Sequence, residues 1–193
     1  MGFHTKLIAK TLVISWLALS LQAHALQIGD KAPNFRADTT QGELDFYNWS
    51  QSQWVILLSH PGDFTPVCTT ELAEAAKLQP LLKKRNTKIL TLIADSVEDH
   101  LEWVEVINNY KNKTTTTDDL KNLLLGIDGD TDVNFPIISD PNLEVATLYG
   151  MYHPKALPNA GSFGGEEKST TRAVFIIDPK KNIQAMLTYP KNI

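Results

Sequence analysis

The chain has 193 residues, a formal net charge of −4 and 42% hydrophobic residues, a balance that fits one globular domain with a sizeable core and excludes a disordered segment. Its basic residues form no block longer than Lys83-Lys84-Arg85 or Lys180-Lys181, which argues against nucleic acid as a partner. The single cysteine, Cys68, rules out an internal disulfide framework, so stability must come from the core.

The first residues differ in kind from the rest. Lys6 and Lys10 flank the start of an apolar run over residues 11–21, and Ala23-His24-Ala25 supplies the small-x-small pattern of a signal-peptidase site. Residues 1–25 read as a secretory signal, with a mature domain over 26–193 that is exported, periplasmic or secreted. The apolar run is about half of the roughly 20 residues that span a bilayer, so cleavage is favoured over anchoring and no membrane contact is expected afterwards.

Next comes an entry hairpin, with short extended pieces at 36–38 and 43–46 joined by Thr39-Thr40-Gln41-Gly42. The continuous apolar run 54–59 has the length of a strand and the pattern of one buried on both faces. Leu72, Ala75, Ala76, Leu78 and Leu82 carry helical spacing from Thr65 to about Arg85, with Pro80 expected to kink or interrupt the helix. A second strand is expected at 89–94. An amphipathic helix follows over 97–110, with Ser96 as N-cap, Glu98 and Asp99 in the first turn and Trp103 facing the core.

Residues 112–132 hold four consecutive threonines, a short helical piece at 118–125 and the turn signals Gly126-Ile127-Asp128-Gly129-Asp130. These aspartates lack the twelve-residue calcium loop with its closing glutamate, so a polar turn is favoured and no metal is expected. Then come a strand at 135–140, a short helix at 143–148, a long polar loop at 153–169, and strands at 173–177 and 183–188. Alternating strands and helices closed by an antiparallel pair predict an α/β fold, a three-layer sandwich with a mixed central sheet.

The segment from Ser59 to Glu71 joins the strongest strand to the strongest helix, where α/β sheets present reactive groups. Thr65 has the chemistry of an N-cap, Pro66 suits the first helical position, and Cys68 then falls in the first turn. The positive end of the helix dipole and the unpartnered first-turn amides favour a thiolate there, which predicts a lowered pKa for Cys68. Taken singly, a lone cysteine is more often packing, Thr65 a cap and Arg172 a surface charge.

The pattern Pro61-x-x-x-Thr65-x-x-Cys68 resembles the active-site motif of the peroxiredoxins, and residues 59–72 are similar to their one-cysteine, peroxiredoxin-6-like branch. The likeness extends in order through Asp95-Ser96-Val97-Glu98-Asp99-His100-Leu101-Glu102-Trp103, Phe135-Pro136-Ile137-Ile138, Leu148-Tyr149-Gly150-Met151 and residues 171–178. It implies a thioredoxin-like fold and a thiol peroxidase that passes through a cysteine sulfenic acid. Cys68 would be the nucleophile, Thr65 the hydroxyl that orients the peroxide, Pro61 the shield of the thiolate and Arg172 the cation that helps hold the thiolate and polarises the peroxide. His60 and Glu71 match as possible supporting residues, each with a plain alternative as a strand-end hydrogen bonder or a solvated helix residue.

With no second cysteine, the sulfenic acid needs an external thiol, glutathione or a thioredoxin-like protein. The resemblance also implies hydrogen peroxide or organic hydroperoxides as substrates, a homodimer and no cofactor. Against it stand a long 108–132 segment, the absence of a glycine-framed serine at Ser50-Gln51-Ser52, and a chain that stops at residue 193. There the family pattern continues into a second active-site arginine, a closing helix and a C-terminal extension, so the expectation is a C-terminally truncated member. An inactive relative acting as a holdase or interaction protein is the alternative; it predicts an ordinary cysteine pKa and no sulfenic acid. A thioredoxin-like oxidoreductase is disfavoured because Cys68 is followed by Thr69-Thr70-Glu71 rather than completing a C-x-x-C pair.

Overall fold

The computed structural model describes residues 25–113, 131–152 and 169–189. The signal expected at 1–25, save its last residue, the helical piece expected at 118–125 with the turns expected after it, and all but the last residue of the loop expected at 153–169 lie outside the described residues.

The entry hairpin forms as expected, β1 (Arg36–Thr39) pairing antiparallel with β2 (Gly42–Asp45). Gly42 supplies the left-handed turn backbone at φ 93° that a side chain would strain. The extended piece does not run on to Phe46, because Asp45 caps a short helix, α1 (Phe46–Ser50), by accepting from the Asn48 N–H at 3.1 Å. A five-residue helix is too short to leave a periodic signal.

The run at 54–59 is β3 (Trp54–Ser59), and it leads through a loop into α2 (Pro66–Lys84). Of the two outcomes expected at Pro80, interruption does not occur: α2 continues through it for another turn. Leu78, placed by spacing on the apolar face, is 40% exposed, and the buried stripe is Cys68, Leu72, Ala73 and Ala76, with Lys77 buried alongside. Then follow β4 (Thr87–Ile93), α3 (Val97–Lys113), β5 (Ile137–Ser139), α4 (Glu144–Tyr149), β6 (Arg172–Ile177) and β7 (Ile183–Tyr189). At the start of α3 the Ser96 hydroxyl accepts from the Asp99 N–H at 3.1 Å and donates to Asp99 Oδ2 at 2.6 Å, the cap that the sequence predicts.

The seven strands form one mixed sheet in the order β2-β1-β5-β4-β3-β6-β7. β3 lies parallel to β4, β4 parallel to β5, and β6 antiparallel to both β3 and β7. Alternate side chains of β4 feed opposite faces. Leu90 and Leu92 pack with Phe46, Tyr149 and Phe175 under α1 and α4, while Ile89 and Ile93 pack with Leu72, Trp103 and Ile107 under α2 and α3. The result is the three-layer α/β sandwich expected, in the thioredoxin-like arrangement. Among the described residues, no helix is long and apolar enough to cross a membrane.

This topology fixes the site. β3 is central, with β4 and β6 on either side, so its C-terminal end delivers His60 and the following loop to the face covered by α2 and α3.

Candidate active site

Thr65 has the extended backbone of an N-cap and Pro66 opens the helix, so Cys68 is the third residue of α2, as the sequence predicts. The Thr65 hydroxyl does not cap the helix; it donates to the Gly62 carbonyl at 3.3 Å. Cys68 is fully buried, and Pro61, next to His60 in the chain, is buried too.

Arg172, the first residue of β6, is 3% exposed and donates through Nη1 to Glu71 Oε2, although the two lie 101 positions apart. His60 Nδ1 stands 3.2 Å from the same carboxylate oxygen. Neither ring nitrogen of His60 has a well-aligned hydrogen bond, so that contact is chiefly electrostatic. Tyr189, at the end of β7, donates to Glu71 Oε1 at 3.4 Å. Glu71 is therefore the hub onto which a histidine, an arginine and a tyrosine converge, one turn along α2 from Cys68.

The electrostatics follow from this arrangement. Burial pushes the Cys68 thiol up, but polar contacts with His60 and Thr65, then the charges of His60 and Arg172, outweigh it and bring the pKa below its ordinary value. Burial pushes His60 down, yet its contacts with Cys68 and Glu71 leave it raised. Contact with His60 holds the Glu71 carboxyl below its ordinary range, against the desolvation that opposes it. An imidazole in contact with both sulfur and carboxylate, with a guanidinium beside them, is an arrangement that favours the ionised form of a buried sulfur.

Donor atoms of His60, Cys68 and Glu71 all lie within 4.8 Å of one another, a spacing that a metal ion could use. The Arg172 guanidinium donates to Glu71 Oε2 and would set a permanent positive charge against any such ion, so the cluster fits thiolate activation better than cation binding. Two surface hollows, one lined by Leu44, Asn48 and Pro136 and the other by Gln79, Lys83 and Lys88, contain none of these groups.

All six residues picked from the sequence fall in this region. Cys68, His60, Glu71 and Arg172 share one network, Thr65 stands at the N-cap position with its hydroxyl turned to Gly62, and Pro61 lies between His60 and the turn. From the sequence, helix position and, by resemblance, Arg172 are expected to favour the thiolate; the structure adds His60 as a larger influence than Arg172. Sequence reasoning missed Tyr189, which reaches Glu71 across 118 positions and carries no local signal.

Fold and site together define a protein of the thioredoxin-like α/β class that activates a single buried thiol. Residues 28–186 match the model of the AhpC/TSA family. The chain is 45% identical over 165 residues to peroxiredoxin-6 of Pongo abelii and 41% identical over 165 residues to the 1-Cys peroxiredoxin of Dictyostelium discoideum. Each alignment takes in 86% of this chain, but 65% of the first relative and 57% of the second, so the chain spans about two thirds or less of the curated relatives it matches.

Among solved structures, a mutant of peroxiredoxin 6 from Arenicola marina superposes with a TM-score of 0.67 at 36% identity, over 88% of this chain and 67% of that one. A yeast mitochondrial 1-Cys peroxiredoxin gives 0.66 at 39% identity, over 87% and 70%. The chain belongs to the AhpC/TSA family, and its relatives include the one-cysteine peroxiredoxins.

Proposed function

We propose that this protein is a thiol peroxidase that reduces hydrogen peroxide and organic hydroperoxides at Cys68, as an antioxidant. The observation that carries this reading is a fully buried thiol whose pKa is held below its ordinary value by His60, Thr65 and Arg172.

In the reaction, the Cys68 thiolate attacks one peroxide oxygen and a sulfur–oxygen bond forms as the O–O bond breaks. The departing oxygen leaves as water or an alcohol after taking up a proton, and Cys68 becomes a sulfenic acid. Arg172 and the Thr65 hydroxyl are the donors suited to stabilise negative charge on the departing oxygen, and His60 is the nearby proton source. Pro61 and the burial of the sulfur keep water from competing.

Recycling takes two equivalents of external thiol. The first displaces water from the sulfenic acid to form a mixed disulfide, and the second releases the Cys68 thiol and an external disulfide. Glutathione or a thioredoxin-like protein has the required chemistry, and the related yeast structure is described as resolving its thiol through glutathione and thioredoxin systems. Export through a signal at residues 1–25 and assembly as a homodimer complete the proposal; the basic, apolar and small-residue pattern of the leader supports export.

The test is the second-order rate of hydrogen peroxide with the reduced chain from Leu26 onward, followed by tryptophan fluorescence and sulfenic-acid trapping. A rate orders of magnitude above that of free cysteine, lost in Cys68→Ser, is expected. A folded protein reacting no faster than free cysteine overturns the proposal in favour of an inactive relative.

A further inference from the structure

A second pair of titratable groups lies just outside the Cys68 network. His100, on the first turn of α3, is fully buried, and its Nδ1 is 2.6 Å from Oδ2 of Asp63, whose side chain is 3% exposed. The other ring nitrogen, Nε2, donates to the Ile138 carbonyl of β5 at 3.2 Å. Asp63 sits in the loop between β3 and α2, and its N–H donates to Asp95 Oδ2 at 2.8 Å. The next residue, Phe64, takes a left-handed backbone at φ 55°, a conformation that a non-glycine residue holds only when its surroundings impose it.

The cost of this arrangement is visible. Asp63 is buried with its second oxygen, Oδ1, lacking any hydrogen bond among the described residues, and burial raises its pKa against the opposing pull of His100. Packing alone gives no reason to bury a half-satisfied carboxyl there. One helical turn further on the same face of α3, Trp103 Nε1 donates to Thr69 Oγ1 at 3.0 Å, and Thr69 Oγ1 donates to the Thr65 carbonyl at 2.8 Å. Thus α3 grips the chain at residue 63 through His100 and at residue 69 through Trp103, and Cys68 lies in the turn between those two points.

We infer that Asp63 and His100 are positioning residues for the Cys68 reaction: their buried hydrogen bond fixes the loop that sets Thr65 and the first turn of α2 against His60 and Arg172. The inference rests on the proposed peroxidase reading and adds two residues that touch neither sulfur nor peroxide. What matters in it is the hydrogen bond rather than the charge. An asparagine at 63 can donate its amide to a neutral His100 Nδ1 while Nε2 still donates to Ile138, so the geometry survives without the carboxylate.

The experiment compares Asp63→Ala, Asp63→Asn and His100→Phe with the wild type, all reduced, by the single-turnover peroxide rate and by the pH titration of the Cys68 thiolate. Asp63→Ala and His100→Phe, which keeps the bulk of the ring and loses its nitrogens, are expected to slow peroxide reduction by about tenfold or more, the scale of one hydrogen bond involving a charged group. Both should also move the thiolate titration to higher pH. Asp63→Asn is expected to stay within about twofold of wild type, since it keeps the bond.

Ile183→Val, in the core on the far side of the sheet, is the control for lost stability and should leave both readouts unchanged. A wild-type rate in folded Asp63→Ala or folded His100→Phe overturns the inference, and so does Asp63→Asn slowed as much as Asp63→Ala. If the wild type itself reacts no faster than free cysteine, it is the peroxidase reading that fails, so the two failures are distinguishable. Should Asp63→Ala not fold, His100→Phe carries the comparison against Asp63→Asn.

Discussion

Glu71 carries the pairing of the site, and its linkage to pH can be worked out from its neighbours. Its carboxyl is held below its ordinary value of 4.5, so the stability it contributes is fully present above that value and fades as pH falls through the lowered one. His60 is raised above its ordinary 6.5, so its contribution is fully present below 6.5 and fades as pH rises through the raised value. The stability difference between wild type and Glu71→Gln should therefore be largest between about pH 4.5 and 6.5 and shrink on both sides, as read from urea midpoints across pH. A pH-independent difference would mean that Glu71 acts through packing alone. On activity, His60→Ala should lower the peroxide rate at neutral pH by about tenfold or more and move the Cys68 titration upward, since it removes the largest of the influences that favour the thiolate. Cys68, Thr65 and Pro66 were legible at this scale because capping is a local rule. The convergence on Glu71 was not, because Arg172 and Tyr189 come from strands paired only through tertiary structure.

At the scale of elements, α2 holds the conflict between local preference and packing. A proline inside a helix removes one backbone hydrogen bond and crowds the preceding turn, a cost of about 3 kcal/mol relative to alanine in an unconstrained helix. Pro80 nevertheless lies within α2, because Leu72, Ala73 and Ala76 before it and Leu82 after it are held against the core. Pro80→Ala is expected to stabilise the fold by about 1–3 kcal/mol, measured by denaturant midpoint, and to leave the Cys68 rate unchanged, since Pro80 lies three turns from the sulfur. Strand and helix identities were readable along most of the chain because periodicity and caps agree with burial, as at Ser96 and Asp99. Two features were not: α1, which is a single capped turn, and the outward rotation of Leu78, which depends on where α3 packs rather than on spacing within α2.

For the whole molecule, one sheet separates two apolar clusters that share no residue. Ile107 belongs to the cluster under α2 and α3, and Ile183 to the cluster under α1 and α4. Ile107→Val and Ile183→Val should each cost about 0.5–1.5 kcal/mol, and the double variant should equal their sum within about 0.5 kcal/mol. A larger departure in the unfolding midpoints would show that strain crosses the sheet. The alternation of strands and helices foretold this layering, whereas the strand order had to come from the structure, since nothing in the sequence says that β6 inserts beside β3.

The complete burial of Cys68 also has a kinetic consequence. With no sulfur surface facing solvent, reagents are sorted by bulk before they are sorted by reactivity. A molecule as small as hydrogen peroxide needs only a breathing motion of the loop around Pro61 to arrive, whereas a large maleimide needs the first turn of α2 to come apart. The ratio of those two rates, taken on one sample, is therefore a clock for how often that turn opens.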